Sequence, residues 1–196
     1  MDILYADDSI AVIVKPVGLD SEHAVPEEIR RALGGEVFPI HRLDQNVGGV
    51  MVYARNKRAA AQLSAAVQDG TLVKEYVALV HGMVEEEAVL EDFLFKDSRK
   101  NKVFAVKKER KGVKYAKLSY TRLKSDDDTS LVRIRLYTGR SHQIRVQFAS
   151  RKHPLVGDHK YGARDNESTP KLFSCCLTFP YQGEERRFEY LPDWAK

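Results

Sequence analysis

Residues 130–138, SLVRIRLYT, alternate strictly: Val132, Ile134 and Leu136 are apolar, and Arg133, Arg135 and Tyr137 stand between them. Successive side chains of a strand point to opposite faces, so this period of two specifies a half-buried strand of an antiparallel sheet. The neighbouring segments fit a sheet. ILYAD (3–7) and IAVIVKP (10–16) form two short strands, the second closing at the turn Pro16-Val17-Gly18. PEEIRRAL (26–33) predicts a short helix with proline at its first position and Gly34-Gly35 as its stop. GVMVYA (49–54) is an apolar run of strand length, and KRAAAQLSAAVQ (57–68) predicts a helix closing on Gly70. LVKEYVALVHG (72–82), VKYAKLSYTRL (113–123), LFSCCLTF (172–179) and RRFEYL (186–191) add strands, with SDDDT linking 113–123 to 130–138. Ser141 caps a predicted helix with Ile144 and Phe148 on one face, ended by Pro154. Strands dominate and hairpins follow one another, which is the pattern of an α+β fold in one domain, 1–196, rather than a wound βαβ chain.

No run of 18 or more apolar residues exists to span a bilayer, and the start, MDILYADDSI, carries acids where a secretory leader needs bases. Cys175 and Cys176 are neighbours, so on a strand they point apart and suit neither a mutual disulfide nor one metal; the expectation is a reducing, cytoplasmic compartment. The net charge of +4 is modest but segregated. Arg99–Lys124 holds eleven Lys or Arg and one acid, Glu109, just after five acids in EEEAVLED (85–92). Such blocks are the footprint of a polyanion partner or the solvated face of a basic hairpin.

HRLDQNVGGV (41–50) puts His41, Arg42 and Asp44 at the mouth of an apolar strand. A carboxylate beside a core is costly unless paired, so Asp44 is either a structural turn residue, paired for instance with Arg42, or a reacting group. A second polar cluster, GRSHQIR (139–145), offers Arg140 and Arg145 as counter-charges.

Taken together, HRLD before a glycine and an apolar strand, KEYVALVHG, GRSHQIR and HPLVGDHKYG, in that order and after DDSIAVIVKPVGL, resemble the RluA family of pseudouridine synthases from residue 2 to the terminal LPDW. The resemblance implies a pseudouridine synthase catalytic fold: a mixed, mainly antiparallel central sheet with flanking helices. It implies conversion of uridines in structured RNA, ribosomal or transfer RNA, to the C-glycoside isomer without cofactor. Matching motifs make Asp44 the catalytic aspartate, as nucleophile or as stabiliser of charge at the anomeric carbon. Tyr76 becomes the tyrosine that stacks on the target base and takes part in proton transfer, and Arg145 the cation that keeps Asp44 ionised and aimed. Arg42 fills the gap left by a flipped uridine or makes an ion pair in its loop, and His41 braces that loop. Arg140 contacts phosphate or braces its own loop. Lys107, Lys108, Arg110 and Lys111 form the RNA-contact surface, where Phe104, Tyr115 and Tyr120 are expected to pack rather than stack on bases. HPLVGDHKYG, with His153, Asp158 and His159, has no metal-ligand spacing and is expected to be loop architecture. No obligate protein partner is implied, and the expected state is a monomer.

The chain departs from the family pattern where Val47-Gly48-Gly49 replaces Thr-Ser-Gly, where Gln147 replaces a histidine, and where Ser174-Cys175-Cys176 replaces Leu-His-Ala. The small N-terminal RNA-binding domain of many relatives is not expected before Asp2. Two other readings remain: an RNA-binding module that has lost catalysis, and a nucleoside or sugar hydrolase using Asp158 as its second carboxylate.

Overall fold

A computed structural model describes residues 1–196. In chain order the elements are β1 (Asp2–Ala6), β2 (Ile10–Lys15), α1 (Ala24–Leu33), β3 (Phe38–Pro39), β4 (Gly48–Ala54), α2 (Lys57–Gln68), β5 (Val73–His81), β6 (Glu87–Asp97), β7 (Lys102–Val106), β8 (Val113–Ser125), β9 (Thr129–Leu136), α3 (Gln143–Ala149), β10 (Leu172–Tyr181) and β11 (Glu184–Glu189). The chain forms two compact units. Residues 1–75 with 173–194 and 196 make the first, and 76–172 with 195 the second. The chain leaves the first unit within β5 and returns at the start of β10.

In the first unit β2 runs antiparallel to β1 and β4, β3 is antiparallel to β4, and β11 is antiparallel to β10. One pair is parallel: β10 meets β4 at Phe173 against Gly48 and Ser174 against Gly49. The sheet is therefore mixed and mainly antiparallel, as expected. Every residue of β2 and β4 is buried. That double-sided burial explains why their sequences are continuous apolar runs rather than alternating ones. α2 lays Ala59, Leu63 and Ala66 over Ile10, Val12, Val50, Val52, Leu177 and Phe179. Its N-cap is Asn56, whose side chain accepts the Ala59 N–H at 2.9 Å.

In the second unit β9, β8, β6 and β7 form consecutive antiparallel pairs. The alternation of β9 holds in part: Val132 and Ile134 are buried and Arg135 exposed, but Leu131 is buried as well and Arg133 and Leu136 are half-buried. β6 and β7 are strands that the sequence did not announce. The acid-rich block at Glu87–Asp92 pairs residue for residue with β8, and only Leu90 and Leu94 of β6 are fully buried. The short α3 covers one face of this sheet, with Val146 against Leu94, Val103 and Ala116, and Phe148 5.1 Å from the Tyr120 ring. Its start differs from the expected Ser141 cap: the N-cap is His142 in a left-handed conformation with no side-chain cap. Gln143 instead ties down the loop that precedes the helix. Its Oε1 accepts the Arg140 N–H and the Thr138 hydroxyl, and its Nε2 donates to the Lys117 carbonyl. A first-turn side chain reaching back in this way satisfies loop donors that Ser141 does not.

Candidate active site

The loop carrying Asp44 is fixed from both sides. Ser21 Oγ donates to the Leu43 carbonyl at 3.0 Å and accepts the Leu43 N–H at 3.3 Å. One residue beyond Asp44, the Gln45 carbonyl accepts from Gly18 N–H at 2.8 Å and from Lys15 Nζ at 3.2 Å, and Gln45 Nε2 donates to the Gly18 carbonyl. The Asp44 carbonyl accepts from Val47 N–H at 2.9 Å, closing the turn into β4. Asp44 is half-buried, and the residues on either side of it are tied to the β2–α1 connection. A carboxylate held this way needs little reorganisation to act.

Lys15 is the residue that sequence reading passed over. It ends β2 fully buried, its ammonium donating to the carbonyls of Pro16, Leu19 and Gln45. Burial lowers its pKa to about 8 against the opposing pull of Asp20 and Asp44. A lone lysine closing the apolar run IAVIV, just before Pro-Val-Gly, was the available signal: an ammonium in that place needs several carbonyl acceptors.

His41 is tied to β4 through its ring. Its Nε2 accepts the Val52 N–H at 3.3 Å, and its Nδ1 is buried without a hydrogen-bond partner. Burial, with a smaller push from Lys74, lowers its pKa to about 3. The ring is thus neutral when folded, while in the unfolded chain it titrates near 6.5. As pH falls below 6.5 the unfolded state takes up a proton that the folded state refuses. Stability therefore falls toward pH 3, by up to about 1.4 kcal/mol per pH unit for this one proton. His41→Gln, whose amide oxygen can accept the same N–H, is expected to flatten the slope of unfolding free energy over that window, read by urea melts. An unchanged slope would show that His41 does not carry it.

Arg42 points to solvent and pairs with Glu22 at 2.9 Å. Both partners are exposed, so the pair contributes about 0–1 kcal/mol and releases readily.

In the second unit Tyr76 is buried on β5. Arg145, on α3, is buried and meets Asp158 bidentately, with Nε and Nη2 each 2.7 Å from a carboxylate oxygen. Its guanidinium carbon also lies 5.1 Å from the Tyr161 ring centroid. The Tyr161 hydroxyl is 2.8 Å from His142 Nδ1 and accepts the Val103 N–H at 2.9 Å. Asp158 thus does more than shape a loop: it fixes the plane of Arg145. Both of its carboxylate oxygens are taken up by the guanidinium.

His153 Nδ1 faces the His81 carbonyl, and both ring nitrogens of His159 face carbonyls, of Ala163 and Glu167. No group of three His, Cys, Asp or Glu side chains converges as a metal site. Arg140 is exposed and donates from Nε to the Tyr115 carbonyl. Lys107, Lys108, Arg110 and Lys111 are exposed in the β7–β8 loop, with Arg110 over the Phe95 ring at 5.3 Å. Of the nearby aromatics only Tyr120 packs as expected; Phe104 and Tyr115 are exposed.

Residues 48–49 and 173–174, far apart in sequence, are in contact here. A Cβ at Gly48 would lie 3.2 Å from the Phe173 ring, and one at Gly49 would lie 2.4 Å from the Ser174 carbonyl oxygen. Phe173 fills the space beside Gly48, and Ser174 donates to the Val50 carbonyl.

A family model described as RNA pseudouridylate synthase matches residues 9–150. An uncharacterized RNA pseudouridine synthase of Aquifex aeolicus is 33% identical over 192 residues, covering 89% of this chain and 60% of its own length. The tRNA pseudouridine synthase C of Vibrio parahaemolyticus is 31% identical over 182 residues, covering 83% of this chain and 74% of its own. The chain spans 58% of a further relative, from Mycoplasma pneumoniae, so these two relatives, the Aquifex and Mycoplasma proteins, are considerably longer. The solved structure of human RNA Pseudouridylate Synthase Domain Containing 1 superposes with a TM-score of 0.85 at 23% identity, over 97% of this chain and 83% of that one.

Proposed function

Because the chain belongs to the RNA pseudouridylate synthase family, we propose that it isomerises uridines in structured RNA, transfer or ribosomal, to pseudouridine. Asp44 is the catalytic carboxylate. The C1′–N1 bond breaks, the detached uracil turns, and C1′ bonds to C5, whose hydrogen leaves as a proton while N1 gains one. Substrate and product have the same atoms, so the step needs no oxidant, reductant or cofactor. Asp44 acts by attacking C1′ or by stabilising its developing positive charge. Tyr76 holds the free base and handles a proton, and Arg145 is the cation that serves the carboxylate. Arg42, released from Glu22, occupies the gap in the RNA. His41 steadies the loop. Arg140, Lys107, Lys108, Arg110 and Lys111 contact phosphates. Residues 1–196 act as one catalytic domain and as a monomer in the cytoplasm; no helix is long and apolar enough to cross a membrane.

The observation that carries this reading is the anchoring of Leu43 and Gln45 on both sides of Asp44, inside the family-matched region. The hydrolase reading loses support because Asp158 is committed to Arg145. The inert-module reading rested on Val47-Gly48-Gly49, and the packing of Phe173 and Ser174 against Gly48 and Gly49 gives that stretch a structural reason. Tritium release from C5-labelled uracil separates the three readings. Release from RNA but not from free uridine supports the proposal. Cleavage of free uridine favours the hydrolase, and binding of RNA without release favours the module.

A further inference from the structure

β6, β8 and β9 have two faces, and only one is covered. Leu90, Leu94, Ala116, Leu118, Tyr120 and Ile134 are buried on the α3 side. The alternate residues line a face open to water, on which Tyr115 is 41%, Tyr137 51% and Val89 58% exposed. Pairing sets out its rows: Phe93 opposite Tyr115, Glu91 opposite Lys117, and Ser119 opposite Arg135. Tyr137 N–H donates to the Lys117 carbonyl, which places Tyr137 beside Lys117.

The chemistry of this face is specific. Lys117 Nζ and Arg135 Cζ lie 5.7 and 5.4 Å from the Tyr137 ring centroid. The Tyr115 hydroxyl and Lys117 both donate to Glu91, at 2.6 and 3.0 Å, and Phe93 meets the Tyr115 ring edge-on at 6.2 Å. Arg140 adds a cation at the rim, bonded to the Tyr115 backbone. Lys117, Arg133, Arg135 and Arg140 outnumber the carboxylates Glu87 and Glu91. Tyr115 and Tyr137 are one strand apart and two residues offset, about 8 Å at the backbone, the reach of neighbouring splayed nucleotides. A protein partner would prefer a contiguous apolar centre with few charges. Separated rings among cations on an open sheet suit unstacked bases on a polyanionic backbone.

We propose that this face binds a single-stranded segment of RNA, with bases on Tyr115 and Tyr137 and phosphates near Lys117, Arg135 and Arg140. It rests on the reading that RNA is the substrate, and it names the single-stranded part of that RNA as what the second unit recognises. The test is anisotropy of a short fluorescent oligouridylate with wild type, the Tyr115→Ala/Tyr137→Ala double variant and the matching double Phe variant. The double Ala variant is expected to bind at least about tenfold more weakly, and the double Phe variant within about twofold of wild type. Thermal midpoints confirm folding, since both tyrosines are exposed. Binding by the double Ala variant within about twofold of wild type would overturn the proposal, as would an equal loss on a hairpin duplex. Turnover on the same preparations separates the readings. Wild type that turns over RNA while the double Ala variant binds undiminished sinks the platform alone. Wild type that makes no pseudouridine, yet loses oligouridylate on ring removal, sinks catalysis and keeps the platform.

Discussion

Asp158→Asn is expected to destabilise the protein by about 3–5 kcal/mol, because it removes the carboxylate that meets the buried Arg145 guanidinium bidentately. The amide also turns one acceptor into a donor facing N–H groups that need an acceptor. The same logic makes a sharper prediction for the pair. Arg145→Met with Asp158→Leu removes both charges and fills similar volume, and such exchanges are commonly neutral or stabilising. Urea melts should therefore show the double variant more stable than Asp158→Asn, while pseudouridine formation stays lost because the cation is gone. Recovery of activity with stability would mean that the pair is structural and that Arg145 has no part in the reaction.

Gly49→Ala should be nearly as damaging for a different reason. Gly49 has φ +131°, and an added Cβ would lie 2.4 Å from the Ser174 oxygen and 2.5 Å from its nitrogen. Both are backbone atoms of the parallel partner strand, so no side chain can swing away. Adding about 1–3 kcal/mol for the backbone conformation to about 1–3 for overpacking takes a large part of the stability of an ordinary domain. Gly48→Ala meets the Lys15 oxygen at 3.1 Å and the Phe173 ring at 3.2 Å, with φ outside the left-handed region, and should cost less. Soluble yield and urea midpoint should rank wild type, Gly48→Ala, Gly49→Ala. The reverse order would contradict the account of this contact.

Local signals in the sequence reached about as far as local physics acts. The alternation in β9 and the apolar runs of β2 and β4 were legible because burial on one face or two leaves its own period. The helix α2 was legible from its alanines and closing glycine. β6 was not: acids at Glu85, Glu86, Glu87, Glu91 and Asp92 hide its core residues, and what makes it a strand is β8, distant in sequence. The α3 cap was misassigned because Gln143, rather than Ser141, satisfies the loop. In the site, the motif singled out Asp44 and His41, and the bond from Val52 N–H to the His41 ring is what the structure adds. The partner of Arg42, the depth of Lys15 and the Arg145–Asp158 pair were not legible, since ion pairs across the chain leave no spacing to read. The aromatics of the basic segment divided by sheet face: Tyr120 inward and Tyr115 outward, five residues apart on a strand whose period is two.

The central claim is that Asp44 converts uridine in RNA to pseudouridine. Its most direct test is single-turnover tritium release from C5-labelled RNA by wild type and Asp44→Asn, with RNA affinity measured on both. The side chains are nearly the same size, and the loop is held through Leu43 and Gln45, so the variant should fold and bind RNA as wild type does. Release by wild type and loss of at least about a thousandfold in the variant, a barrier increase of about 4 kcal/mol, is the predicted result. Release at equal rates from both proteins would contradict it.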